Sequence, residues 1–222
     1  MAVIEKFSAF EQAVLTLEEE IVLGFLHPGQ RLVEDELLAR FGLKRHVIRQ
    51  VLVELERMGL VERKRNIGAV VRSYSAKEVT DLYAVRMLLE AECARLIVFP
   101  VPEQAMEQLK QIQKAHDTSV QRCDLRSAFR ANMRFHRQVF SLSDNQILVD
   151  AIQHHAQRCH SIRSYSLVFP EQMERARQEH WDIIEAISVG DTERLVELCS
   201  AHLIPARDIY LRLYHQRTKM IG

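Results

Sequence analysis

The placement of glycine constrains this chain most. Five of its seven glycines, Gly24, Gly29, Gly42, Gly59 and Gly68, lie in the first third, and the other two are Gly190 and Gly222. Glycine reaches the positive φ that tight turns and helix ends need, and it weakens helix interiors. A small, turn-rich domain followed by long helices is the organisation this implies. A chain of 222 residues has room for both.

Residues about 8–25 carry helical apolar spacing through Phe10, Val14, Leu17, Ile21 and Phe25, and His27-Pro28-Gly29 is expected to end that helix. A second helix starts near Glu34 and stops at Gly42, with Glu34, Asp35 and Glu36 at its positive dipole end. A third runs from about Arg45 to Met58, before Gly59. Two β-branched segments, about Leu60–Glu62 and Ala69–Arg72, flank a basic hairpin. Residues 1–74 therefore read as a winged helix-turn-helix of three helices plus a β-hairpin wing. Ser75 caps a helix reaching about Val98, and further helices are expected at about 103–121, 125–142, 145–166, 170–188 and 191–216. The expected class is mostly α, with an all-α antiparallel bundle of about six helices over residues 75–222.

No apolar run approaches the roughly 20 residues of a membrane span. Glu5 and Lys6 interrupt the stretch a leader would need, so a cytoplasmic protein with no membrane partner is expected. Cys93, Cys123, Cys159 and Cys199 form no Cys-x-x-Cys pair and read as buried, reduced thiols. Lys plus Arg equals Asp plus Glu at 30 each, yet Arg40–Arg72 holds nine basic residues against three acids. That local excess attracts phosphate.

In the third helix Val47, Ile48, Val51, Leu52 and Leu55 form one apolar face, and Arg45 and Arg49 lie one turn apart on the other, beside His46 and Gln50. Arg bonds guanine bidentately in the major groove, and such a helix, buried on one side, has the geometry of a recognition helix. Alone, a basic amphipathic helix is more often a solvated face; the basic hairpin after it, with Arg65 near its tip, raises the DNA reading.

The run Leu26-His27-Pro28-Gly29-Gln30-Arg31-Leu32, then Glu34, Leu37-Leu38-Ala39, Phe41-Gly42, Arg45, Arg49, Leu52, Leu55 and Gly59-Leu60-Val61, resembles the GntR-type winged helix. The resemblance implies DNA contacts at Arg45 and Arg49, with support from Arg31, Arg40 and the wing tip near Gly68. Lys44 departs from the family's usual Ser N-cap; it cannot accept the orphan N–H bonds and is read as a phosphate contact. His46-Val47 replaces the usual Thr-Pro pair, which implies an altered base preference.

Asn132 and His136 share one side of a helix whose apolar residues include Phe129, Val139 and Phe140. His180 follows the stripe of Ile184 and Ile187, and His202 that of Leu195, Leu198 and Cys199. A single inward His is usually a hydrogen-bonded core residue. Three on three helices admit a second reading, a cluster able to ligate zinc, nickel, copper or iron. His154 and His155 point to different faces, and His160 has no apolar stripe to place it inward. Glu179 precedes His180 but falls on another face, so no acid is placed near His180 or His202 as a general base.

From Ala76 onward the chain is similar to the FCD helical domain of FadR/VanR-like regulators, through Asp81-Leu82-Tyr83, Arg86, Leu89-Glu90, Phe135-His136, Asn145, His180 and His202. Six helices favour the shorter, VanR-like form. Many FCD domains hold a divalent metal through an Asp and three His, which implies Asn132, His136, His180 and His202 here, with zinc or nickel foremost. Asn132 stands where the family has Asp, so affinity should fall, and an ion facing four neutral side chains would favour an anionic effector such as a small carboxylate. Arg86 matches the family's inward Arg and is a candidate for that anion, though a structural ion pair with Glu90 fits its spacing equally. Arg163 is a further candidate.

The leading expectation is a homodimeric regulator, not an enzyme, that binds a palindromic double-stranded operator and releases or grips it as an effector binds. A metalloenzyme using the same histidines, and a regulator with a metal-free organic-acid pocket, stand beside it.

Overall fold

A computed structural model describes residues 7–167 and 169–221, with side chains for all of these except 167 and 217–221. The leader reading rests partly on residues 1–6, which lie outside the described residues. The chain divides into two compact units, residues up to Ser73 with Gln157–Ser164, and Tyr74–Ala156 with Tyr165 onward.

In the first unit, α1 (Ala9–Val22) is opened by a capping box in which the Glu11 N–H donates to Ser8 Oγ at 3.2 Å and the Ser8 N–H to Glu11 Oε2 at 2.7 Å. The helix ends before His27-Pro28-Gly29: Leu23 is its C-cap and Gly24, at φ 76°, turns the chain out. Next come β1 (Arg31–Leu32), α2 (Glu34–Phe41), α3 (Arg45–Arg57), β2 (Val61–Lys64) and β3 (Gly68–Val71). The strands form one antiparallel sheet in the order β1-β3-β2, with Arg31 opposite Val70 and Glu62 opposite Val70 from the other side. The strand β1 was not expected, because two residues carry no period. Leu17, Ile21, Ile48, Val51, Leu55, Leu60 and Val71 form a closed core beneath α3. At the wing tip Asn66 and Gly68 take φ of 64° and 94°. His160 is fully buried with Nδ1 3.1 Å from Glu18 Oε1, so it does point inward, through a polar partner in place of an apolar stripe.

The second unit contains α4 (Ala76–Arg95), α5 (Glu103–Gln121), α6 (Leu125–Ser141), α9 (Pro170–Val189) and α10 (Thr192–Ile221), with most of α7 (Gln146–Arg158) and the end of α8 (His160–Leu167). A second capping box, Ser75 with Glu78, starts α4. α10 packs along α4 and α9, and α5 along α6 and α9, around Cys93, Leu109, Phe135, Val139, Ile183, Ile187 and Leu195. The Tyr210 hydroxyl on α10 donates to the Tyr74 carbonyl at 2.7 Å and accepts the Tyr74 N–H at 3.2 Å. Seven helices follow residue 75 among the described residues, one more than expected, because the 145–166 segment breaks at Cys159. Four successive residues, Cys159 to Ile162, are buried there, which one face of a continuous helix does not supply. The helix count therefore no longer argues for the shorter form. No described helix is long and apolar enough to cross a membrane.

Three of the four thiols are buried, but Cys123 is exposed in a turn at φ 55°, which corrects the expectation of four inert cysteines. Burial pushes the Cys93 and Cys199 thiols up, away from the reactive thiolate. In native protein a thiol-specific colorimetric reagent at pH 8 should label Cys123 within minutes, and the other three only after denaturation. Fast labelling of two or more would contradict the described burial.

Candidate functional site

The first unit builds a basic, solvent-facing surface. Arg45, His46, Arg49 and Gln50 are exposed along α3, while Ile48, Val51, Leu52 and Leu55 anchor its opposite face. Lys44 occupies the N-cap and makes no side-chain capping bond, as its lack of an acceptor dictates. The two arginines are guided by α2: Arg45 Nη2 donates to Asp35 Oδ1 at 2.7 Å, and Arg49 Nε to Glu34 Oε2 at 3.1 Å. These acids, read from the sequence only as dipole partners, pair with both guanidinium groups. More than half of each side chain stays accessible, at 53% for Arg45 and 61% for Arg49. Exposed ion pairs of this kind are worth about 0–1 kcal/mol, so phosphate or a base edge can displace them. Arg40 pairs with Glu20 on α1, with Nη1 to Oε2 at 2.8 Å. Arg31, Arg65 and Gly68 are exposed at β1 and the wing.

The second unit brings His136 on α6, His180 on α9 and His202 on α10 together. One ring nitrogen from each lies within 4.8 Å of the others, and His136 Nε2 and His202 Nε2 are 3.1 Å apart. His180 is fully buried and stacks on Phe135, ring centres 4.1 Å apart. Asn132 is buried one turn before His136. His116 on α5, not singled out in the sequence, is buried with its ring centre 4.9 Å from that of His180.

Two hydrogen bonds fix the ring tautomers. His202 Nδ1 is 2.7 Å from Glu179 Oε2, and an ionised carboxylate only accepts, so Nδ1 donates and Nε2 is the nitrogen turned to the cluster. His180 Nδ1 is 2.8 Å from Gln113 Oε1. That amide is oriented by its own Nε2, which donates to Asp117 Oδ1 at 2.8 Å and to the Arg177 carbonyl at 3.1 Å. Trp181 Nε1 donates to the other Asp117 oxygen at 3.0 Å. Burial pushes the Glu179 carboxyl up, but His202 and then Arg175 outweigh this and hold it below its ordinary value. Glu179 thus corrects the sequence expectation: it turns to the histidine cluster, through His202 on the neighbouring helix. Tetrahedral sites with metal–nitrogen bonds of about 2.0–2.1 Å keep their donor nitrogens about 3.3 Å apart. The donor set, two imidazoles whose Nδ1 atoms face acceptors and a third whose Nε2 lies 3.1 Å from that of His202, fits a borderline divalent cation.

Arg86 is buried and donates through Nε and Nη2 to Glu90 Oε1, at 3.0 and 2.8 Å, with Tyr83 beneath its guanidinium. Of its two sequence readings, the ion pair is thus formed. Arg163 is half-buried on α8, within the stretch that packs with the first unit.

Known proteins carry the same organisation. Residues 10–71 match the bacterial regulatory proteins of the gntR family, and residues 81–204 match the FCD domain. The chain is 26% identical over 190 residues to an uncharacterised HTH-type transcriptional regulator, YdhC, of Bacillus subtilis, covering 84% of each chain. It is 24% identical over 193 residues to the HTH-type transcriptional repressor RspR of Escherichia coli, covering 87% of this chain and 85% of RspR. The solved structure of E. coli McbR/YncC superposes with a TM-score of 0.80 at 18% identity, covering 94% of this chain and 99% of that one. The winged-helix match spans nearly the whole N-terminal third and the FCD match more than half of the chain, so the protein belongs to the GntR family of bacterial transcriptional regulators, among those whose second domain is FCD.

Proposed function

We propose that the protein is a homodimeric repressor relieved by a small carboxylate that binds at a divalent ion in its helical domain. Residues 1–74 form the DNA-binding domain, and residues 75–222 bind the effector and dimerise. Arg45, Arg49 and His46 read base edges of a palindromic operator, and Arg31, Arg40, Lys44, Arg65 and the wing backbone at Gly68 hold its phosphates. His136, His180 and His202, with the Asn132 carboxamide, hold zinc or nickel. The ion supplies the positive charge an anionic effector needs. Arg86 would reach that anion by exchanging Glu90 for it. The repressor reading is supported by the likeness to RspR of E. coli, a transcriptional repressor.

The observation that carries this reading is the convergence of three imidazole nitrogens within 4.8 Å in a buried bundle core. A second reading, a metal-free organic-acid pocket, is favoured by Asn132, which brings no charge to an ion. One experiment separates them. Duplexes selected from a randomised pool by the purified protein are titrated with a panel of small carboxylates, before and after the protein is stripped with EDTA. Release from a palindromic duplex that disappears on stripping and returns with zinc or nickel is the expected result. Equal release from stripped protein would favour the metal-free pocket, and a pool that yields no preferred sequence would sink the operator reading.

A further inference from the structure

We propose that Glu179 and Gln113 are positioning residues of the histidine centre, and that the Glu179 carboxylate, one imidazole away from the ion, supplies the negative charge that Asn132 lacks. The inference rests on the reading of His136, His180 and His202 as ligands.

Two of the three rings are gripped from behind. Glu179 Oε2 takes the Nδ1 hydrogen of His202 at 2.7 Å, and Gln113 Oε1 that of His180 at 2.8 Å. Both grips occupy Nδ1 and leave Nε2 to ligate, and His202 Nε2 is the atom that faces His136. A histidine ligand whose second nitrogen donates to a carboxylate is more basic and already oriented, so binding costs less reorganisation. The grips are themselves held. Arg175 Nε donates to Glu179 Oε1 at 2.6 Å, so the carboxylate has one oxygen for each partner. Asp117 receives the Gln113 amide and the Trp181 indole on separate oxygens. The geometry goes beyond the family's inner ligand set because it depends on side chains of α5 and α9 that do not reach the cluster's centre. It also answers the charge problem. With Asp in the inner set the ion meets one anion directly; here Glu179 places a carboxylate 2.7 Å from Nδ1 of a ligand ring, joined to Nε2 through the conjugated ring.

The test is calorimetric titration of zinc chloride into EDTA-stripped, dialysed full-length protein, with the thermal midpoint of each metal-free variant as a fold control. Glu179→Ala should bind zinc about 10–100-fold more weakly, the usual loss for an outer-shell partner, and Gln113→Leu should lose a similar factor. Glu179→Gln keeps an acceptor for His202 and removes only charge, so it should lose less than Glu179→Ala. Asn132→Asp should tighten binding, and Asn132→Asp combined with Glu179→Gln should return to within a few-fold of wild type. Charge shared between the two positions makes the gain from Asn132→Asp larger in Glu179→Gln than in wild type, whereas a purely structural Glu179–Arg175 pair leaves that gain the same in both. Wild-type affinity in Glu179→Ala overturns the positioning role, and an equal gain in both backgrounds overturns the charge assignment. If wild type binds no zinc, or His180→Ala binds as wild type does, the ligand reading itself fails, a result distinct from either.

Discussion

Untagged protein purified without chelator should carry one divalent ion per chain, and His180→Ala should carry none. His180 is the most enclosed of the three, with Phe135 stacked on its face and Gln113 on its Nδ1. Removing it takes one of the three converging nitrogens and leaves two. Loss of an outer partner alone costs 10–100-fold, so loss of a ligand should cost at least about a hundredfold. Metal-to-protein ratios by mass spectrometry give the direct readout. A second readout is thermal: an ion at a hundred times its Kd adds about 2.7 kcal/mol to stability, so wild type should melt higher with metal and His180→Ala should not respond. His154→Ala, at an exposed residue of α7, should retain the ion. Equal metal content in His180→Ala and wild type would remove the centre from the account.

Arg49→Ala should weaken binding to the selected operator about 5–150-fold, the range of one bidentate guanine contact of 1–3 kcal/mol, and should relax preference at one base position. Arg65→Ala, at the wing, should act differently: a nearly uniform loss across sequences and a salt dependence shallower by about one ion. Fluorescence anisotropy at several salt concentrations, on the operator and on duplexes altered one base at a time, distinguishes the two. If Arg49→Ala lowers affinity for every duplex alike, α3 is contacting backbone and not reading bases.

What the sequence made legible follows from the range of the interactions involved. Helix starts are local events: the first helix was expected from about residue 8 and the fourth to be capped by Ser75, and the structure closes each start with a capping box to the Glu three residues on. The amphipathic face of α3 formed as well. The three histidines were legible because each lies on its own apolar stripe, and burial of stripes is what a bundle does. Their partners were not. Gln113 and His180 are 67 residues apart, and Glu179 and His202 are 23 apart. Only the packing of α5 and α10 against α9 pairs them, and no periodicity encodes which polar residue faces which ring. The break at Cys159 failed for the opposite reason: apolar spacing continues through it, and no Gly or Pro marks the stop. His160 was misplaced because its inward position is stabilised by an acid on α1, outside any local pattern.

The hydroxyl of Tyr210 grips both backbone groups of Tyr74, the first residue of the helical unit. Tyr210 lies eight residues beyond His202 on the same helix, about 12 Å along its axis. Between them Pro205 removes one backbone N–H, but α10 continues through it as a single helix. A lever with a load at one end and a latch at the other behaves in a defined way: a tilt at the load becomes a sideways displacement at the latch, scaled by the arm. A one-degree tilt over such an arm moves the latch by only about 0.2 Å, and a ten-degree tilt by about 2 Å, close to the reach of a hydrogen bond. Small adjustments at the histidines are therefore absorbed, and large ones must either carry Tyr74 along or release it.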